Sequence, residues 1–222
     1  PAQNAAIGKE LWKSTGTAAG TKLLQDCLNG DSNPFGFTKS GDVLFFSAEI
    51  DTLGAELWKT DGTEAGTVLV KDIYLGHGNA HPNNFTDLNG LLIFSARDGG
   101  QGYEIWASDG TAAGTILLQD IGDGWGGSKP RNLKKIGKSV YFGAANTTTG
   151  VELYKTDGTP NGTVLVKDIN LGQESSNPSE LYEIGGGISL FMATTATQGR
   201  ELWKTDGTAA GTVLVKDIGP FS

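Results

Sequence analysis

ELWKTDGTEAGT, residues Glu56 to Thr67, is one of five versions of a single phrase in this chain. The others are ELWKSTGTAAGT from Glu10, EIWASDGTAAGT from Glu104, ELYKTDGTPNGT from Glu152 and ELWKTDGTAAGT from Glu201. Successive starts lie 46, 48, 48 and 49 residues apart, a period that marks a solenoid or propeller built from one supersecondary unit per repeat. A residue that recurs in every unit is first a candidate for holding the unit together.

Working outward from Glu56, the phrase predicts a hairpin: a strand ending at Thr60, an Asp61–Gly66 loop, and a strand over Thr67-Val-Leu-Val-Lys-Asp-Ile73. With that loop Thr60 faces Thr67, Trp58 faces Leu69 and Glu56 faces Lys71. The same register pairs Glu152 with Lys167 and Glu201 with Lys216, and cross-strand pairs of this kind contribute roughly 0.2–1 kcal/mol each. Asp61, Asp109, Asp157 and Asp206 are expected to cap the loop with their side chains, while Gly62 and its equivalents take the positive φ that the turn demands. A second segment recurs ahead of the phrase, as NPFGFTKSGDVLFFSA (33–48), HPNNFTDLNGLLIFSA (81–96), KPRNLKKIGKSVYFGA (129–144) and NPSELYEIGGGISLFMA (177–193). Each reads as an apolar stretch, a Gly-containing turn and a β-branched or aromatic run, which is another hairpin.

Two hairpins per unit make a four-stranded sheet, and helical periodicity is missing throughout. The expected fold is all-β, a β-propeller of four-stranded blades in a single domain over 1–222. Its units are 1–28 (a half blade), 29–73, 74–121, 122–169 and 170–218. Five second hairpins but only four first hairpins predict five blades with one incomplete; the alternative is a four-bladed ring with a spare hairpin. Pro1-Ala2 aligns with Ser47-Ala48, so Pro1 to Ala6 can add one strand to the incomplete blade, and the chain reads as a trimmed piece of a longer precursor. The unfilled edge is expected to be closed by the termini or by a neighbouring molecule.

The formal charge of -8 and pI near 4.7 exclude a nucleic-acid partner, which needs a basic surface. No apolar run approaches the ~20 residues of a membrane span. Cys27, the single cysteine, takes the place of Ile73, Ile121, Ile169 and Ile218 and reads as a small core hydrophobe.

At E-L-W-x-x-D-G-T the chain resembles the ELWxxDGT repeat family of secreted bacterial proteins, described as hyalin-like. The departures are Thr15 for Asp, Tyr154 for Trp and Ile105 for Leu. The resemblance implies an exported or cell-surface repeat protein and no catalytic residues.

Trp12, Trp58, Trp106, Tyr154 and Trp203 hold equivalent positions and form one ring of aromatics. As stacking platforms they would make a multivalent lectin, an architecture similar to tachylectin; as core they fill the space between blades, which their place inside a strand favours. Trp125 stands apart in Gly122-Asp-Gly-Trp-Gly-Gly127, with no aromatic counterpart in other units, and is the candidate contact unique to one blade. Asp120 and Asp123 beside it offer oxygen ligands for calcium without EF-hand spacing. Otherwise no cofactor is expected. His77 and His81 read as surface-loop residues. Motifs of nucleophilic, metal or phosphate chemistry are missing. The expected function is a non-enzymatic extracellular binding, adhesion or matrix propeller directed at a glycan or a protein, with multivalent carbohydrate binding as its specific form. The alternatives are a structural protein that self-associates through the incomplete blade, and a propeller hydrolase or lyase.

Overall fold

The computed structural model describes residues 2–4, 8–25 and 31–219. Cys27 lies outside the described residues. The long apolar runs form strands because β-branched and aromatic side chains suit a surface covered on both faces. They make five antiparallel sheets. The first holds β1 (Ala2–Asn4), β2 (Gly8–Lys13) and β3 (Lys22–Gln25). The second holds β4 (Phe35–Ser40), β5 (Val43–Ile50), β6 (Gly54–Thr60) and β7 (Val68–Lys71). In the third are β8 (Asn83–Leu88), β9 (Leu91–Arg97), β10 (Tyr103–Ser108) and β11 (Ile116–Gln119). The fourth comprises β12 (Arg131–Ile136), β13 (Ser139–Asn146), β14 (Gly150–Thr156) and β15 (Val164–Lys167), and the fifth β16 (Ser179–Gly185), β17 (Ile188–Thr195), β18 (Gly199–Thr205) and β19 (Val213–Lys216).

Strand order within each sheet follows the sequence, and β4, β8, β12 and β16 pack against one another in turn. Those first strands therefore lie innermost, as in propeller blades. Five sheets replace the alternative of four and a spare hairpin. The incomplete blade has three strands among the described residues, because β1 pairs with β2 through Ala2↔Glu10 and Asn4↔Gly8. The expected ring, however, is an arc. Tyr182, Ile184, Val215 and Ile218 of the fifth blade remain exposed, and among the described residues the sheets do not close on the first.

Adjacent sheets interlock by a simple rule. Leu57 and Phe45 of one sheet pack against Leu92, Phe94 and Trp106 of the next; Leu153 and Tyr141 meet Phe191 and Trp203 in the same way. The Leu of each phrase thus faces forward and the Trp backward. Each ring that is covered by a preceding blade is only 5–8% exposed, at Trp58, Trp106, Tyr154 and Trp203. A sugar needs an open ring face to stack on, so these four aromatics are core rather than platforms; Trp12 is half-buried.

One expected pairing is corrected. Trp58 does face Leu69, and the Thr60 and Thr67 hydroxyls do meet at 2.7 Å. Between Leu57 and Trp58 the register shifts, so that Lys71 pairs with Leu57 and not with Glu56. The same shift puts Lys167 opposite Leu153 and Lys216 opposite Leu202. A bulge leaves one extra residue on its strand and turns the neighbours by one position. The lysines instead reach forward: Lys71 Nζ donates to the Thr115 carbonyl at 2.7 Å, and Lys59 Nζ to the Gly110 carbonyl at 2.8 Å. Lys167 and Lys155 repeat both bonds on Thr212 and Gly207. Packing and hydrogen bonding together make each blade depend on the next.

Replacing Trp106 by Ala removes a buried indole and the bond from its Nε1 to the Ala96 carbonyl. The expected loss is about 3–5 kcal/mol, measured by urea unfolding; a loss below about 1 kcal/mol would place the ring outside the core.

Candidate functional site

The glutamate that opens each phrase is buried, and its carboxylate organises the connection to the next blade. Glu104 accepts hydrogen bonds from the backbone N–H groups of Ile121 (3.1 Å), Gly122 (3.0 Å) and Ser128 (2.7 Å), and from the Ser128 hydroxyl (2.5 Å). Glu152 takes the N–H of Ile169 and both the N–H and hydroxyl of Ser176. Glu10 takes the N–H and hydroxyl of Ser32. The loop after β7 differs: Glu56 accepts from Ile73, Tyr74 and Ala80 N–H groups, and Ala80 supplies no hydroxyl. Burial raises the pKa of Glu104 and Glu152 against the pull of these donors. Glu56 is pushed up from 4.5 to about 7, chiefly by burial, with three N–H groups opposing and Asp72 adding repulsion.

At the other end of the second hairpin, Asp61 Oδ1 accepts both the N–H and the hydroxyl of Thr63, at 2.8 and 2.6 Å. Asp109, Asp157 and Asp206 do the same with Thr111, Thr159 and Thr208. These threonine donors hold all four carboxyls below the usual aspartate range. Gly62 takes φ +87°, and a Cβ on Gly66 would collide with the Asp61 carboxylate. The motif's two glycines and its aspartate are thus one turn device.

Between blades, the glutamate-organised connections border grooves. One, of about 290 Å³, lies between the third and fourth sheets and is lined by Asn83, Asn84, Ser95, Tyr103, Lys129 and Pro130. Asn84 sits at a bulge in β8 with φ +56°, a left-handed conformation that Asn tolerates better than most residues. Its Nδ2 donates to the Asn83 side-chain oxygen and across the junction to the Pro130 carbonyl. Arg97 holds Tyr103 by lying 5.6 Å from its ring centroid. The corresponding groove one junction earlier, about 110 Å³, is lined by residues including Phe35, Ser47, Glu49 and His81. The buried Ser47 hydroxyl there has no hydrogen-bond partner among the described residues. One junction later, Gly143 stands in the serine's place with Pro178 and Arg131 over it. His81, expected as a surface-loop residue, is exposed at the rim of its groove, where partial desolvation and then the Arg97 charge lower its pKa.

Trp125 is 81% exposed in a short 3-10 turn, Gly124–Gly126. Asp123 accepts the Thr147 hydroxyl and Asp120 the Gln101 amide. Among the described residues no three acidic, His or Cys side chains are grouped to hold a metal ion, so no third side chain of those kinds joins Asp120 and Asp123. No helix among the described residues is long and apolar enough to cross a membrane. Sequence reasoning missed the grooves and the glutamate network; the signal for the latter was the recurring Ser-x-Pro of Ser32–Pro34, Ser128–Pro130 and Ser176–Pro178.

A scan against protein-family models finds no match, and a search of curated proteins finds none. Among solved structures, a puromycin hydrolase variant complexed with PGG matches 91% of this chain and 31% of its own, at 15% identity and TM-score 0.51. TolB from Acinetobacter baumannii matches 86% of this chain and 45% of its own, at 17% identity and TM-score 0.43. An exo-β-1,3-galactanase from Clostridium thermocellum matches 94% and 50%, at 15% identity and TM-score 0.36. The chain spans about a third of the hydrolase's length, and at this identity the likeness is one of fold.

Two outcomes follow from the site. The folded chain keeps Glu56's proton up to about pH 7, whereas the ordinary carboxyl loses it near 4.5. The stability this gives is fully present below the lower value and is lost as pH rises through the higher one. The urea midpoint should fall across that window, and Ala80→Ser, which restores the hydroxyl of the other loops, should flatten the fall; an unchanged slope would contradict the assignment. Trp125→Ala should change unfolding free energy by less than about 0.5 kcal/mol, as at other exposed positions, and a larger loss would place the indole in the packing.

Proposed function

We propose that this chain is a non-enzymatic, extracellular binding propeller of the ELWxxDGT kind, and that its between-blade grooves hold carbohydrate. The observation that carries the reading is the groove of Asn83, Asn84, Ser95, Tyr103 and Lys129. Amides, a hydroxyl and an ammonium supply donors and acceptors for sugar hydroxyls, and a half-buried aromatic supplies an apolar wall beside them. Its recurrence in altered form at the preceding junction, with Phe35, Ser47 and His81, supports sites of related shape and different preference. Weak sites repeated on one rigid frame gain avidity when a polymer spans them. The acidic overall charge favours neutral or cationic glycans over sulfated ones.

The test is a glycan array followed by titration of the best neutral hit against the intact chain and Tyr103→Leu. Saturable binding that weakens at least about tenfold in the variant, with its unfolding midpoint retained, is the expected result. No bound glycan, or equal affinity of the two proteins, would defeat the carbohydrate reading.

A further inference from the structure

Among the described residues the three most exposed large apolar side chains are Leu75 at 82%, Trp125 at 81% and Leu171 at 83%. Single apolar residues on a surface are ordinary, but these three hold one place in the repeat. Each stands in the segment that leaves the fourth strand of a sheet for the first strand of the next: after β7, after β11 and after β15. Strand order puts the three segments on one side of the arc. In an antiparallel sheet the end of the fourth strand, the start of the first and the turn between the second and third share an edge. The inner strands β4, β8, β12 and β16 pack in series, so those edges line up.

Hydrogen bonds hold these tips out. Gly76 N–H donates to the Asp72 carboxylate and Gly172 N–H to the Asp168 carboxylate, each at 3.2 Å, and both glycines take a left-handed φ, +79° and +91°. One turn device thus projects Leu75 and Leu171. Trp125 is carried by the 3-10 turn, which Gly127 N–H closes on the Gly124 carbonyl at 3.1 Å. Each segment is also fastened to a turn between second and third strands: His77 Nδ1 donates to the Asp51 carbonyl, the Thr147 hydroxyl to Asp123, and Ala196 N–H to the Asn170 side chain. The exposure of the three side chains is built into ordered loops, so contact with a partner need not first order them.

The charge around the tips selects what they can enter. Segments 72–79, 120–127 and 168–175 carry Asp72, Asp120, Asp123, Asp168 and Glu174 and no Lys or Arg. Lys71 and Lys167, which precede two of them, reach away to the Thr115 and Thr212 carbonyls at the DGT loops. Such a rim is repelled by an anionic lipid surface, whereas a phosphocholine layer ends in trimethylammonium cations that complement the carboxylates. Single side chains on separate loops suit a fluid interface that yields around each one, and Trp is enriched at headgroup depth; a folded protein would need three pockets at matching spacing. We propose that this side of the arc is a lipid-contact surface, with Leu75, Trp125 and Leu171 inserting among the headgroups of a zwitterionic bilayer. Binding of this kind scales with the apolar area buried in the interface, so the three tips act together.

The test is co-pelleting of the intact chain with multilamellar vesicles of phosphatidylcholine alone, and of phosphatidylcholine with about 30% phosphatidylserine, at physiological ionic strength. The vesicles contain no carbohydrate, so the outcome is independent of the glycan reading. Saturable binding to phosphatidylcholine is expected, weaker on the serine-containing vesicles, with a blue shift of tryptophan emission that Trp125→Ala abolishes. Leu75→Ser and Leu171→Ser should each weaken binding at least about fivefold, while Leu75→Trp retains it, all with the urea midpoint of the parent. The proposal is overturned by no binding to phosphatidylcholine, by parental binding of the chain carrying Leu75→Ser, Trp125→Ala and Leu171→Ser together, or by tighter binding to the serine-containing vesicles. It is equally overturned if light scattering without lipid shows the parent to self-associate and the triple variant not to, since the tips would then join copies of the chain.

Discussion

A buried carboxylate at the start of each repeat phrase is the interaction on which the blade connections depend. Glu104 gathers three backbone N–H groups and a hydroxyl from the segment leading to the fourth sheet. That segment is an irregular chain between two sheets, so its polar groups have no ladder to join, and an unpaired buried N–H costs about 1–3 kcal/mol. One side chain satisfies the set and fixes where the next inner strand begins. Desolvation of the carboxylate is the opposing cost. The raised pKa of Glu56, Glu104 and Glu152 records it.

From that anchor the rest is repetition with neighbours. Leu forward, Trp backward and the two lysines reaching onto the next DGT loop mean that a blade is complete only when another stands before and behind it. Stability in such an array is close to a sum of unit and interface contributions. Among the described residues, the fifth sheet leaves Tyr182 and Ile218 exposed. The candidate binding grooves exist for a related reason. The repeated turn and tether geometry leaves the positions of Asn83, Tyr103 and Lys129 free to vary from junction to junction without disturbing the frame.

The blade was legible because its cause is local and repeated: alternating apolar runs, Gly-containing turns, and Asp61 capping its own loop through Thr63. The hydroxyl pair of Thr60 and Thr67 followed from loop length alone. What failed was the pairing of Glu56 with Lys71, because a bulge at Leu57/Trp58 cannot be counted from strand length, and a charge pair looked sufficient where burial decided. The grooves were hidden for a different reason. Phe35 and His81, or Asn83 and Lys129, come from different blades and are joined only by how the sheets stack. Trp125 stood out by its lack of counterparts and proves exposed, whereas the repeated aromatic ring, equally conspicuous, is packing.

The most direct measurement is urea unfolding of Glu104→Ala beside the exposed-loop control Glu64→Ala. Removing the Glu104 carboxylate strands three buried N–H groups and the Ser128 hydroxyl, so the account predicts a loss on the order of 3 kcal/mol or more against a nearly silent control. A Glu104→Ala chain within about 0.5 kcal/mol of the parent would contradict it, since the connections would then hold without the carboxylate.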